Sequence, residues 1–204
     1  MNIENNQPSR DSYHHGDLRN ALIAAGIELI EEKGIAGLSL RAIAARVGVS
    51  HTAPRNHFGS LKGLLTAIGA EAFRLHAAAM REGVSDTSPG VERLHAALRG
   101  YVDFALRRPA LFSIMFSPQH VEHEDETLRR NAHASYAVLE GISRDLDWSQ
   151  AGESDAQLRT EMMLWSFVHG YTTLRLAGQF REPEGATRPF DIADIFPDFR
   201  YRET

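Results

Sequence analysis

His51 and Arg55, and Thr52 and Asn56, are two pairs spaced four residues apart, which places all four side chains on one side of a short helix. Their chemistry suits the base edges of DNA. An arginine fork matches the O6 and N7 acceptors of guanine, an asparagine amide matches N6 and N7 of adenine, and a threonine methyl packs on thymine. Pro54 and Phe58, also four apart, form with Ala53 the apolar side that packs inward. The solvated face of an ordinary small helix would show the same spacing, so charge placement must weigh between the two. From Gly34 to Ala70 there are four basic residues (Arg41, Arg46, Arg55 and Lys62) and no acidic one. The chain as a whole carries −5, so the residues outside this window carry −9. A basic patch within an acidic chain is the footprint of a phosphate-binding face.

Arg41 and Lys62 each follow a serine placed as a helix N-cap, Ser39 and Ser60, by two residues. A cation in a first helical turn opposes the helix dipole, at a cost of a few tenths to ~1 kcal/mol. With an anion docked there, the free N–H groups and the cation hold a phosphate together. Metal-type ligands gather in one place, the run from Gln119 to Thr127, where His120, His123 and Glu124 would suit zinc. That run also reads as a polar loop entering a helix, with Asp125 and Glu126 favouring the first turn, and no metal is expected. With no Ser/His/Asp grouping, paired carboxylates or phosphate-cradling glycine loop, no catalytic residue and no cofactor are expected either.

The elements that must position these side chains follow from periodicity. Leu40, Ile43, Ala44 and Val47 recur at three- and four-residue spacing and line one face of a short helix. Ser39 is its expected N-cap and Gly48 its left-handed stop; Ser50 is expected to cap the second helix, Phe58 to close it, and Ser60 to cap the next. A turn this short, containing glycine, fits a helix-turn-helix. Upstream, Asp17 is the expected cap of a first helix whose Leu18, Leu22, Ala25, Leu29 and Ile30 keep helical spacing until Gly34. Residues 1–16 read as a disordered polar arm, a solvated tail whose Arg10, His14 and His15 could approach DNA.

The chain resembles the TetR (tetracycline-repressor-like) family of transcriptional regulators. The residues that carry the resemblance are Tyr13–Gly34, Leu38–Ser50 and His57–Leu65, with a second match at Trp165–Gly170. That Trp-x-x-x-His-Gly pattern is similar to the C-terminal domain of the subgroup named after those residues. The resemblance implies an all-α fold with a three-helix DNA-binding domain at residues 17–60 and a helical effector-binding and dimerisation domain at 61–204. It implies a repressor released from DNA by a small molecule that moves the fourth helix. The candidate DNA-contacting set is Ser39, Arg41, Ser50, His51, Thr52, Ala53, Arg55, Asn56, His57 and Lys62. One departure stands out: the family commonly has a tyrosine two places before His-Phe, where this chain has Arg55. Arg55 therefore either replaces the tyrosine–phosphate contact or reads a base.

The fourth helix is expected from Leu61 to about Arg81, followed by an amphipathic helix from Pro89 to Arg108 and a short apolar one opened by Pro109 and ended at Ser117-Pro118. Another runs from the polar loop to about Leu146 through Leu128, Ala132, Tyr136, Leu139 and Ile142, before a loop from Asp147 to Ser154. Tyr101, Phe104, Phe112, Met115, Phe116, Tyr136, Trp165 and His169 are the candidate effector pocket, although such clusters equally form an ordinary core. The last long helix, Ser154 to Phe180, is apolar on both faces between Met162 and Leu176, and such a helix must be buried on all sides. That implies a second subunit, with the small residues Ser166, Gly170, Thr173 and Ala177, beside Leu174, as the candidate dimer interface. A homodimer would match a palindromic operator with half-sites about one helical turn apart. Asp191 to Phe196 is expected as a short terminal helix.

Zero cysteines exclude disulfides and thiolate metal sites, and fit a reducing cytoplasm. No apolar run reads as a signal peptide or a membrane span. The competing class is an all-α small-molecule-binding protein or enzyme without DNA activity; an acid-free basic window coinciding with the helix-turn-helix favours the regulator.

Overall fold

A computed structural model describes residues 15–82, 84, 90–144, 146–147, 155–180, 185, 190–196 and 200–201. Helix α1 spans His15–Lys33, and Gly34, at φ 71°, stops it before a single 3-10 turn at Ile35–Gly37. Asp17 thus falls inside α1 and not before it. The arm up to residue 14 lies outside the described residues. Helices α2 (Leu40–Val47) and α3 (Ala53–Phe58) follow. Both pack on α1 and on each other. Leu22, Ile30, Ile43 and Ala44 are at most 1% exposed. Ala44 supplies the small side chain that a close helix crossing needs.

Helix α4 runs Leu61–Arg81. The chain divides into two compact units, Met1–Leu64 and Leu65–Thr204, and the division falls inside this helix. In the second unit α5 (Gly90–Arg107) is central and packs on α6 (Pro109–Met115), α7 (Glu126–Ser143), α8 (Ala156–Leu176) and α9 (Ile192–Ile195). Its apolar stripe is buried at Leu94, Leu98, Tyr101, Val102 and Ala105, whereas Leu106, which the spacing places on the same stripe, is exposed. Pro109 starts α6, and α9 carries a full capping box between Asp191 and Asp194.

Two boundaries differ from the sequence expectation. Helix α7 ends at Ser143, and Leu146 is buried instead as part of a two-residue strand, β1 (Leu146–Asp147), paired antiparallel with β2 (Arg200–Tyr201). Helix α8 ends at Leu176, because Gly178 adopts φ 65° and Gln179 N–H bonds back to the Leu174 carbonyl. No helix among the described residues is long and apolar enough to cross a membrane.

A close crossing and a buried imidazole fix α4 in the second unit. A Cβ at Gly100 of α5 would lie 2.1 Å from the Ala79 carbonyl oxygen of α4, so only glycine fits. His76 of α4 is 2% exposed. Its Nδ1 lies 2.8 Å from Ser135 Oγ of α7, and its ring meets Tyr101 edge-on at 4.3 Å. Burial, aided by His169 nearby, pushes the His76 pKa down to about 3. In the unfolded chain it titrates near 6.5. Between those values the unfolded state binds a proton the folded state refuses, so stability falls as pH drops through that window.

Two outcomes are expected. Gly100→Ala should lower the unfolding free energy in urea by about 1–3 kcal/mol, the usual cost of overpacking. Native stability should decline below pH 6.5 by up to ~1.4 kcal/mol per pH unit from this residue alone, and the decline should shrink in His76→Phe. An unfolding midpoint flat from pH 7 to 5 would contradict the second.

Candidate nucleic-acid interface and ligand cavity

The turn between α2 and α3 is built from local chemistry. Ser39 Oγ accepts the Ala42 N–H at 3.1 Å, and Gly48 closes α2 in the left-handed region at φ 76°. Ser50 does not cap α3. A helix starting at residue 51 would need residue 54 to donate its N–H to the Ser50 carbonyl, and Pro54 has none. The Ser50 carbonyl instead accepts from Ala53 N–H at 3.0 Å in a tighter turn, and the first α-helical bond runs from Asn56 N–H to the Thr52 carbonyl. The Ser50 hydroxyl bonds that of Thr52 at 3.1 Å. Proline in the first turn then costs nothing.

His51, Thr52, Arg55 and Asn56 are all exposed, while Pro54 is buried and Ala53, His57 and Phe58 are half-buried. The Arg19 guanidinium of α1 sits 5.3 Å above the Phe58 ring, anchoring the end of α3. At α4, Ser60 Oγ accepts the Gly63 N–H at 3.0 Å, so Lys62 stands in a capped first turn as Arg41 does. The first turns of α2, α3 and α4 hold no acid.

The acid-free window overstates the basic patch by one residue. Arg46 bonds Glu32 through both terminal nitrogens, at 2.9 and 2.6 Å, and reaches Glu28 at 3.2 Å. Donating to the Glu32 carboxylate raises the Arg46 pKa, and Arg46 in turn lowers that of Glu32. This cation ties α2 to α1. Arg41 and Arg55 make no ion pair among the described residues.

In the second unit a cavity of about 420 Å³ opens among α4 to α8. Its wall includes Tyr101, Met115, Phe116, Tyr136 and Trp165, five of the candidate pocket residues. Phe104, Phe112 and His169 are not among the lining residues. Phe104 and Phe112 lie behind the wall, packed against the His76 ring at 5.2 and 6.3 Å, and His169 Nδ1 is held 2.8 Å from the Tyr101 hydroxyl. What sequence reading missed comes chiefly from α4 (Phe73, His76 and Met80) and α7 (Ala132, His133, Ser135 and Leu139), with His123 from the preceding loop. The one signal for it was polar: His76 interrupts an otherwise apolar and alanine-rich stretch of α4.

Hydrogen bonds order the polar groups around this cavity. Burial raises the Tyr101 pKa, against a lowering hydrogen bond from Trp165, and burial lowers that of His169. Tyr136 donates to Glu161 Oε2 at 2.9 Å, and burial with that bond pushes its pKa up to about 12. Glu161 also accepts from Gln157 at 2.9 Å. In the run from Gln119 to Thr127, Val121 is buried, Glu122 N–H bonds Thr66 Oγ1 at 3.0 Å, and Asp125 caps α7 by accepting the Leu128 N–H at 2.8 Å; among the described residues no three metal-type side chains come together.

Helix α8 buries Leu164, Val168 and Tyr171 inside its own unit but leaves Leu158, Met162, Trp165 and Leu174 exposed. Ser166, Thr173, Leu174 and Ala177 lie exposed and Gly170 half-exposed, with open space where a Gly170 Cβ would stand.

Residues 22–68 match the family model of bacterial regulatory proteins of the tetR family, and residues 94–193 match that of the tetracyclin repressor-like C-terminal domain. No curated protein matches the sequence. Among solved structures, the chain is similar to a protein of unknown function from Rhodococcus sp. RHA1, at 32% identity over 93% of each chain with a TM-score of 0.70. A possible TetR family transcriptional regulator from Streptomyces coelicolor A3(2) shares the fold at 21% identity, over 85% of this chain and 77% of that one, with a TM-score of 0.56. With a helix-turn-helix that exposes its polar face and family models matched over residues 22–68 and 94–193, the chain belongs to the TetR family and is a DNA-binding transcriptional regulator, not an enzyme.

Proposed function

We propose that this regulator is a cytoplasmic homodimeric repressor that binds a palindromic operator and is released by a small molecule entering the cavity of its second unit. The observation that carries the reading is the exposed polar face of α3, presented above the buried Pro54, Ile43 and Ala44. Arg55 and Asn56 read bases from this face, with His51, Thr52 and Ala53 at the helix start beside them. Ser39, Arg41 and Lys62, at the capped starts of α2 and α4, hold phosphates together with Ser50 and His57.

The second subunit covers the exposed face of α8 at Ser166, Gly170, Thr173, Leu174 and Ala177. Small residues there let two helices approach closely, and a two-fold axis matches the symmetry of the operator. Release follows if the effector binds more tightly to a conformation that cannot span both half-sites. Helix α4 is the natural carrier, since it holds both Lys62 and the cavity residue His76.

Anisotropy titration of DNA from the protein's own upstream region across a salt series tests the DNA contacts. Affinity should fall steeply with salt, and Arg41→Gln and Lys62→Gln should each reduce the slope by about one. Arg46→Gln should leave the slope unchanged, because that cation is engaged on α1. Arg55→Ala should lose about 1–3 kcal/mol of preference for specific over random DNA. Equal slopes in the Arg41 and Arg46 variants would contradict the assignment. In sedimentation at micromolar concentration the protein should be dimeric and Gly170→Arg monomeric, while both keep the same helical circular dichroism. A monomeric parent chain would sink the interface.

A further inference from the structure

The hydrogen-bond inventory around the cavity narrows what it can hold; this rests on reading the cavity as the effector site. His76 Nε2 is buried and has no hydrogen-bond partner among the described residues. The proton on the ring can be placed by elimination. If Nδ1 carried it and donated to Ser135 Oγ, the Ser135 hydroxyl proton would have no acceptor and Nε2 would be a bare lone pair. If Ser135 donates to Nδ1, both of those groups are satisfied and only one is left unmet, an Nε2–H donor. The second arrangement leaves fewer buried polar groups unpaired and is the favoured one.

The two tyrosine hydroxyls of the wall are already engaged. The Tyr101 hydroxyl pairs with His169 Nδ1 at 2.8 Å, and the Tyr136 hydroxyl donates to Glu161 at 2.9 Å. The described lining residues include no lysine, arginine, aspartate or glutamate, and His123 and His133 are exposed. A charged ligand would therefore shed its water without meeting a counter-charge on the wall, because the Glu161 carboxylate lies outside the lining and is already bonded to Tyr136 and Gln157. For an anion the buried Glu161 carboxylate, bonded to Tyr136, adds repulsion. Phe73 and Phe116 meet edge-to-face at 5.6 Å, as do Tyr136 and Trp165 at 5.7 Å, giving ring walls that suit a flat apolar body.

We propose that the effector is an uncharged, ring-bearing molecule carrying a carbonyl-type oxygen, as in a ketone or ester, and that this oxygen accepts the His76 Nε2–H. His76 is then a specificity-determining residue of the cavity.

Calorimetric titration of the full chain with four naphthalene probes tests this: 2-acetylnaphthalene, 2-ethylnaphthalene, 2-naphthoate and trimethyl-2-naphthylammonium. The ketone should bind on the order of tenfold tighter than the ethyl compound, and both ions more weakly still. In His76→Phe the ketone and ethyl compounds should bind alike. Should that variant fold poorly, the imidazole nitrogen shifts of the parent chain give an independent answer, and they should report the Nε2–H tautomer. Equal binding of ketone and hydrocarbon, preference for either ion, absence of binding by all four, or an Nδ1–H tautomer would each overturn the proposal. Failure of the effector-site reading looks different: the ketone would bind with the expected preference, yet saturation would leave DNA affinity unchanged, or Ala132→Trp, which fills the cavity, would not block binding.

Discussion

A six-residue helix has no stability of its own, because nucleation costs more than so few bonds return. Helix α3 is held by its packing on α1 and α2, with Pro54 buried, Ala53 and Phe58 half-buried and Arg19 of α1 over the Phe58 ring. That burial also decides which way α3 faces. With Pro54 turned inward, helical spacing turns Arg55 and Asn56 outward, so the exposed polar face follows from the packing. Gly48 at φ 76° makes the turn tight enough for the packing to close, and Arg46 locks α2 to α1 through Glu28 and Glu32.

What was legible in the sequence was local. Ser39, Gly48 and Ser60 act within three or four residues of their partners, and each takes the place that its type and spacing predict. The outward face of α3 was legible for the same reason. Ser50 was misread because the decisive fact is a missing N–H four residues later, which shifts the helix start. Arg46 was misread as a patch cation because its carboxylates lie 14 and 18 residues earlier on another helix, outside any local charge window.

The cavity was half legible. Aromatic residues announced it, but spacing does not tell the wall from what stands behind it: Tyr101, Phe116 and Trp165 line it, while Phe104 and Phe112 pack against His76. The contribution of α4 rested on one signal, His76 in an alanine-rich stretch, and a histidine buried in an ordinary core would look the same. Helix α8 was plain from its composition, being apolar on both faces, and the single chain leaves Leu158, Met162 and Leu174 uncovered. The face that packs within the unit holds Leu164, Val168 and Tyr171, and the half-open Trp165 beside it is what α8 gives to the cavity wall.

The central claim is that the exposed face of α3, presented twice by a dimer, reads a symmetric DNA sequence. Selection of bound duplexes from a random-sequence pool by the purified full chain tests it most directly, since such a pool presupposes no operator sequence. The account predicts enrichment of an inverted repeat with half-sites about 10 base pairs apart, centre to centre, or a multiple of that. A pool that stays random through successive rounds, while the protein remains folded, would contradict it.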